Sequence, residues 1–381
     1  MAAAGLYLHL PFCLRKCPYC DFSSVPLEGA QLAPYLAALR GELALRRDEC
    51  PPLGSVYLGG GTPTALPPSA LAALLAEVRR ELAVREDAEV TVEANPGTVD
   101  EGGLAALRAA GANRLSLGVQ SFDDRALAAL GRIHDAAQAH QAVQAARRAD
   151  FDNLNLDLIF AVPGQTEAEW EATLQAALEH APEHLSVYGL TFEPGTPFHA
   201  ALCRGELQPA AEETQARMFE RARARLLAAG YRHYEISNYA LPGRECRHNL
   251  NYWRGGEYLG LGASAHSFLG GVRWSNVRPP GEYVARLQAG APPLAGAERL
   301  SRERRGEESL MVGLRLAEGV SLAGLEPGLG QDLAAVYGRR IRALAAQGLL
   351  EAEGGRIRLG ERGWLLASYV TQALLTGESD S

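Results

Sequence analysis

The chain has 381 residues, 47% of them hydrophobic and 22% charged, enough to bury one large core and a smaller second one. Its 37 Lys and Arg stand against 45 Asp and Glu, a net charge of −8, which excludes a broad phosphate-binding surface; no nucleic-acid partner is expected. No stretch reaches the ~18 apolar residues of a membrane span, the N-terminus lacks the pattern of a secretion signal, and six cysteines are too few for a disulfide scaffold, so a reducing cytoplasm is expected.

Short apolar runs alternate with longer amphipathic ones. Leu6 to Leu10, Ser55 to Leu58, Val90 to Ala94, Arg114 to Gly118, Leu154 to Phe160 and Leu185 to Leu190 read as buried parallel strands. Between them, segments such as Ala33 to Arg47, Ser69 to Val84, Ala136 to Arg148 and Glu167 to His180 carry Ala, Leu, Glu and Arg at helical spacing. About six strand and helix units imply an α/β fold, a partial (β/α) barrel over residues 1–230. A helix from about Ala210 to Ala229 leads into Tyr234 to Trp274, rich in Gly, Asn and aromatic residues and read as a loop-rich candidate ligand surface. Pro279 to Pro293 reads as a connector, so 231–295 is taken as an extension and 296–381 as a separate tail. That tail is helical, then turns at Gly354-Gly355 between two short strands, the pattern of a winged-helix-like domain. Acidic residues around its hairpin favour packing on the barrel over DNA binding.

Chemistry concentrates after the first strand, where Cys13, Cys17 and Cys20 form Cys-x-x-x-Cys-x-x-Cys at the end of a barrel where active sites are assembled. Three thiolates can hold three irons of a 4Fe-4S cluster and leave the fourth open to an exchangeable ligand. A structural zinc would want a fourth Cys or His close by, and the loop has none. Lys16, the only lysine, lies inside this loop, where a compact ammonium suits an anionic cluster. After the second strand, Gly59-Gly60-Gly61-Thr62-Pro63 lets backbone approach a ligand closely. Glu93, Gln120 and Asp157 end successive strands at the same mouth, and Arg132 follows the fourth; carboxylates there suit ribose hydroxyls and an Arg suits a ligand carboxylate.

These motifs, with Tyr7 and His9 before the loop and Tyr19 inside it, resemble the radical S-adenosylmethionine (SAM) superfamily, and over nearly the whole chain its coproporphyrinogen oxidase subgroup. The resemblance implies a radical SAM partial (β/α)6 barrel. It also implies SAM on the open iron, cleaved by a cluster electron to a 5′-deoxyadenosyl radical, with Tyr7, Gly60, Gly61, Thr62, Glu93, Gln120, Arg132 and Asp157 contacting SAM.

Two functions divide that subgroup: oxygen-independent coproporphyrinogen III oxidation, an enzymatic decarboxylation, and heme delivery by HemW-like chaperones. The oxidases carry a further Cys two residues past the loop, where this chain has Phe22, and an N-terminal extension, whereas this chain starts six residues before Tyr7. His248-Asn249-Leu250-Asn251-Tyr252-Trp253 matches the His-Asn-x-x-Tyr-Trp motif of the chaperones. The chaperone is therefore the expected function and the oxidase the alternative, with enzymatic activity doubted. Heme-accepting proteins and an electron donor are the implied partners, and a homodimer is compatible. His248 is expected as an axial heme ligand, with Tyr252 and Trp253 as flat faces and Asn249 or Asn251 orienting the ring or holding the loop. Cys50, Cys203, His134, His140, His180, His184, His199 and His233 are read as packing or surface residues. His9 and His266 are read as near a site.

Overall fold

The computed structural model describes residues 3–329 and 333–376. Six parallel strands alternate with helices: β1 (Ala4–Leu10), α1 (Gly29–Arg46), β2 (Leu53–Gly60), α2 (Pro68–Glu81), β3 (Val84–Ala94), α3 (Glu101–Ala109), β4 (Arg114–Gln120), α4 (Asp124–Ala129), α5 (Ala136–Arg148), β5 (Leu154–Phe160), α6 (Glu167–Glu179) and β6 (His184–Gly189). They pair as neighbours in that order, the partial barrel expected. Alternation builds its two faces. Leu6, Leu8, Leu10, Val56, Leu58, Val90, Val92, Leu115, Leu117, Leu154, Leu156 and Leu158 pack under the helices, whereas Tyr57, Glu93, Arg114, Ser116, Asn155, Asp157 and Ser186 line a lumen. The helices start where side chains cap them: α5 at Asp135 with Gln138, and α6 at Thr166 with Glu169.

The stretch read as loop-rich is mostly regular. After α7 (Pro197–Cys203) and α8 (Glu212–Ala228), β7 (Arg232–Glu235) and β8 (Asn238–Ala240) add antiparallel strands to the β6 edge. The helix α9 (Arg247–Trp253) then crosses to β9 (Tyr258–Leu261), parallel to β1. β10 (His266–Leu269), β11 (Val272–Asn276) and β12 (Leu294–Arg299) continue antiparallel, giving one 12-stranded sheet. Short strands of Gly, Asn and aromatic residues have little apolar periodicity; edge pairing, not sequence pattern, makes them strands. The expected Pro279 to Pro293 connector likewise contains a helix, α10 (Pro280–Gln288). Buried Glu42 of α1 ties this extension down, accepting from Gly262 N (2.8 Å), Asn276 Nδ2 (2.6 Å) and the Tyr283 hydroxyl (2.6 Å).

The tail forms a second core. After α11 (Arg302–Gly313) come β13 (Val320–Ser321), α12 (Leu322–Leu329), α13 (Leu333–Ala346), β14 (Leu350–Glu353), β15 (Arg356–Leu359) and α14 (Ala367–Thr376). The Gly354-Gly355 turn joins β14 to β15 with φ of 57° and 75°, which makes the wing. Residues 377–381 of the tail lie outside the described residues. The junction is made by contacts: His233 packs at a tilt against Trp364 with ring centres 4.2 Å apart, Arg223 Nη1 bonds Glu361 at 3.1 Å, and Arg315 lies over the Trp253 ring at 4.5 Å.

Candidate functional site

The thiol loop is held before anything binds to it. Phe12 and Cys13 form a two-residue ladder with Val25–Pro26, Leu27 N donates to Cys13 O at 2.8 Å, and Thr62 N donates to Phe12 O at 2.8 Å, fixing the loop to the end of β2. A Cβ on Gly60, whose φ is +109°, would strike the His9 ring, and one on Gly61 would lie 2.6 Å from Phe12 O. The glycines are therefore required by packing against the thiol loop, whatever ligand lies above. Lys16 Nζ reaches Phe22 O (2.9 Å) and Ser24 O (3.3 Å), closing the loop over its own exit.

The three thiols share one field: burial pushes the Cys20 thiol up, and Cys17 and Cys13 push it further while Lys16 opposes them. Donors already point at two sulfurs, Thr62 Oγ1 at Cys13 (3.6 Å) and Arg132 Nη1 at Cys17 (3.3 Å), an arrangement that suits thiolates. Among the described residues no three His, Cys, Asp or Glu side chains close on a single metal ion. The loop thus fits a cube that takes one thiolate per iron better than a shared zinc.

Gly60, Gly61, Thr62, Glu93, Gln120, Arg132 and Asp157 all line one cavity with the three cysteines. Glu93 is set by the Tyr57 hydroxyl (2.8 Å) and Gly60 N (3.2 Å), and burial raises its carboxyl to about 7. Burial also raises Asp157, opposed by hydrogen bonds from Ser186, Asn155 and Ser116 and by the charge of Arg114. Gln120 takes a left-handed φ of 67°, an uncommon backbone for a non-glycine residue, at the end of β4 on the cavity wall. Arg132 is braced by Gly118 O at 2.8 Å.

Tyr7 differs from expectation. Its hydroxyl bonds His9 Nδ1 at 3.1 Å, its ring stacks on Tyr57, and it is not among the residues that line the cavity. Tyr7 lies level with Tyr57 across the β1–β2 pair. His9 is buried, with Nε2 on Ser23 O at 2.8 Å, so it braces the thiol loop; His266 is exposed on β10 in the extension.

The expected heme motif lies largely inside the fold. His248 is 1% exposed, its Nδ1 pairs with Ser55 Oγ at 2.8 Å and its Nε2 with the Tyr252 hydroxyl at 3.0 Å, and burial lowers it to about 3. No ring nitrogen is free for iron. Tyr252 packs edge-on against Tyr258, and Trp253 lies under Arg315. Of the four candidates only Asn249 lines the cavity. The reason is that buried Glu89 accepts from Arg247 N (3.0 Å) and His248 N (3.1 Å), which clamps the start of α9 beneath the barrel floor.

Sequence reading missed Tyr57, Arg114, Asn155 and Ser186. Arg114 is 2% exposed, lines the cavity floor and has an unpartnered Nε; Asn155 Nδ2 donates to Asp157 Oδ1 at 2.8 Å and to Ser116 Oγ at 2.7 Å. Their signal was a polar residue at every second position of otherwise apolar strands.

Among known proteins, residues 7–177 match the radical SAM superfamily and residues 300–366 the HemN C-terminal domain. The heme chaperone HemW of Mycobacterium tuberculosis (strain H37Rv) is 40% identical over 376 residues, covering 97% of this chain and 94% of that one. HemW of Bacillus subtilis (strain 168) is 36% identical, over 97% of this chain and 98% of its own. The solved coproporphyrinogen III oxidase (HemN) of Escherichia coli, a radical SAM enzyme, superposes with a TM-score of 0.85 over 99% of this chain and 91% of that chain at 24% identity, a likeness of fold. Identity at that level along nearly the full length of both HemW chains, with the thiol loop opening into one cavity, means that the chain belongs to the HemW family of heme chaperones within the radical SAM superfamily.

Proposed function

We propose that the chain carries a 4Fe-4S cluster on Cys13, Cys17 and Cys20, binds SAM along Gly60, Gly61, Thr62, Glu93, Gln120, Arg132 and Asp157, and hands heme to acceptor proteins in the cytoplasm, with an electron donor serving the cluster. The observation that carries this is the opening of three thiols and the seven expected SAM residues into a single cavity, in a chain whose relatives bear the name heme chaperone. When bound, a cluster on three thiolates supplies one iron open to an exchangeable ligand and an electron for it.

The chain's own residues do the rest. Arg132 and Thr62 donate to thiolate sulfur and lower its negative charge, which favours the reduced form of the site. Glu93, held by Tyr57 and Gly60, keeps acceptor capacity for ribose hydroxyls. Arg114 holds positive charge under Glu93 and Asp157, which favours their ionised, accepting forms. The exposed Phe22 puts an apolar ring beside the loop where the oxidases have a thiol.

Anaerobic reconstitution tests this directly. Iron and sulfide should be retained by the wild type and lost when Cys13, Cys17 and Cys20 are all changed to Ala. Heme pre-loaded on the chain should pass to an apo-protein. Formation of decarboxylated product from coproporphyrinogen III and SAM would instead establish the oxidase.

A further inference from the structure

Arg15 and Lys16 are neighbours in the thiol loop whose side chains serve different ends. Lys16 closes the loop on its own exit. Arg15 leaves the loop: its Nη2 donates to Gly131 O at 2.5 Å and to Arg132 O at 2.8 Å, carbonyls 116 and 117 residues away. Both belong to the turn that closes α4. In that turn Gly131 N donates to Ala128 O (3.0 Å) and Arg132 N to Leu127 O (2.9 Å), with Gly131 at a φ of 66°.

An exposed guanidinium ordinarily contributes little, because solvent screens it and side-chain entropy opposes one fixed geometry. Arg15 is exposed, but the turn it holds meets the same loop at two further points. A Cβ on Gly131 would lie 2.8 Å from Pro18 Cδ, so turn and loop are packed without room for a side chain between them. Arg132 then returns its own side chain to the loop, with Nη1 3.3 Å from Cys17 Sγ and 3.4 Å from the Tyr19 hydroxyl. Loop grips turn through Arg15, and turn grips loop through Arg132.

Arg132 is the member of this ring that reaches the cavity. It lies in the cavity wall, its Nη2 is spent on Gly118 O, and its Nε is buried without a partner. A planar guanidinium meets a sulfur or a carboxylate only in a narrow set of orientations, so the backbone that carries it has to be fixed as well as its tip.

We propose that Arg15 is a positioning residue: by holding the carbonyls of Gly131 and Arg132 it keeps the Arg132 side chain on Cys17 and in the cavity wall. This rests on the reading above of the three thiols as cluster ligands and of Arg132 as a SAM contact, and adds to it a residue that itself bonds to no thiol. Acting through Arg132, Arg15 contributes nothing once the Arg132 guanidinium is gone. A charge acting across space on the cluster would instead add to the effect of Arg132.

Four forms of the anaerobically reconstituted full chain separate these cases: wild type, Arg15→Ala, Arg132→Gln and the double variant. Iron and sulfide are counted in each, SAM affinity is measured by equilibrium dialysis, and the cluster midpoint potential by a titration followed by electron paramagnetic resonance. Arg15→Ala should weaken SAM binding about three- to tenfold and make the cluster harder to reduce, because Cys17 loses its donor. The double variant should match Arg132→Gln in both readings, to within about twofold in affinity. Hydrogen exchange on the cluster-free chain reads the turn itself: the amides of Gly131 and Arg132 should exchange faster in Arg15→Ala, and those of β1 and β4 at the wild-type rate. Wild-type affinity and potential in Arg15→Ala, or losses that multiply in the double variant, would overturn the assignment. So would unchanged exchange at the turn, which is the deciding reading if Arg15→Ala takes up too little iron for the other two. A wild type that retains no iron and sulfide would overturn the cluster reading instead, and exchange would still judge whether Arg15 holds the turn.

Discussion

The imidazole of His248 is the sharpest case of a residue whose type suggests one role and whose surroundings give another. It is buried, neutral and bonded at both nitrogens, one to Ser55 and one to Tyr252. His248→Ala should lower stability by about 2–4 kcal/mol, because it opens a void and leaves two hydroxyls without their partner; chemical denaturation of the wild type and variant measures this. Glu93 makes a second prediction at the same scale. Its folded carboxyl titrates near 7 against an ordinary value of 4.5, raised chiefly by burial. The protonated form is thus favoured in the fold, so this group's stability contribution is full below about pH 4.5 and is lost as the pH rises through 7. Ligand binding runs the other way, since ribose hydroxyls need an acceptor. SAM affinity should fall about five- to tenfold from pH 8 to pH 6 in the wild type, with that step absent in Glu93→Gln, as equilibrium dialysis would show.

Between elements, single polar residues fasten segments that apolar patterning leaves loose. Glu42 receives three donors from the extension, and both of its oxygens accept. Glu42→Gln keeps the shape but turns an amide N–H₂ toward a donor in either orientation. It should cost about 1–3 kcal/mol, measurable by denaturation, and it should speed hydrogen exchange at 262–276 more than in β1 to β6. Glu89 does the same for α9 from inside the barrel. Glu42 sits on a helix that sequence reading identified and Glu89 just before the strand it read from Val90, while their partners lie about 160 to 240 residues away. Only tertiary contact could reveal the pairing.

For the molecule as a whole, the C-terminal domain decides the shape of the cavity, because Glu361, Arg362, Trp364, Leu365 and Leu366 form part of its wall. Its position is set by the β7 edge and α9. Ala317 N donates to Tyr234 O at 2.9 Å, Glu235 bridges to Leu316, and Arg315 covers Trp253 while standing 3.9 Å from the Glu235 carboxylate. Trp253 of the heme motif therefore belongs to a domain junction. Arg315→Ala removes a cation–π contact and the counter-charge of a carboxylate that is 1% exposed. It should weaken the junction by about 1–3 kcal/mol and raise hydrogen exchange at 315–321, with the thiol loop unaffected.

Hydrophobic alternation is local, so the six strands, most of the helices and the wing could be read from the chain without knowing any contact. The thiol spacing is equally local, and it pointed to three iron ligands and an open corner because those thiols lie within eight residues. Tertiary structure alone decided which polar groups face the lumen together, that the Tyr7 hydroxyl is taken by His9, that short Gly- and Asn-rich stretches become edge strands, and that His248 is buried with both ring nitrogens bonded. Those outcomes depend on neighbours brought in from distant parts of the sequence, and burial by such neighbours, not residue type, determines whether an imidazole or a carboxylate is free to meet a ligand.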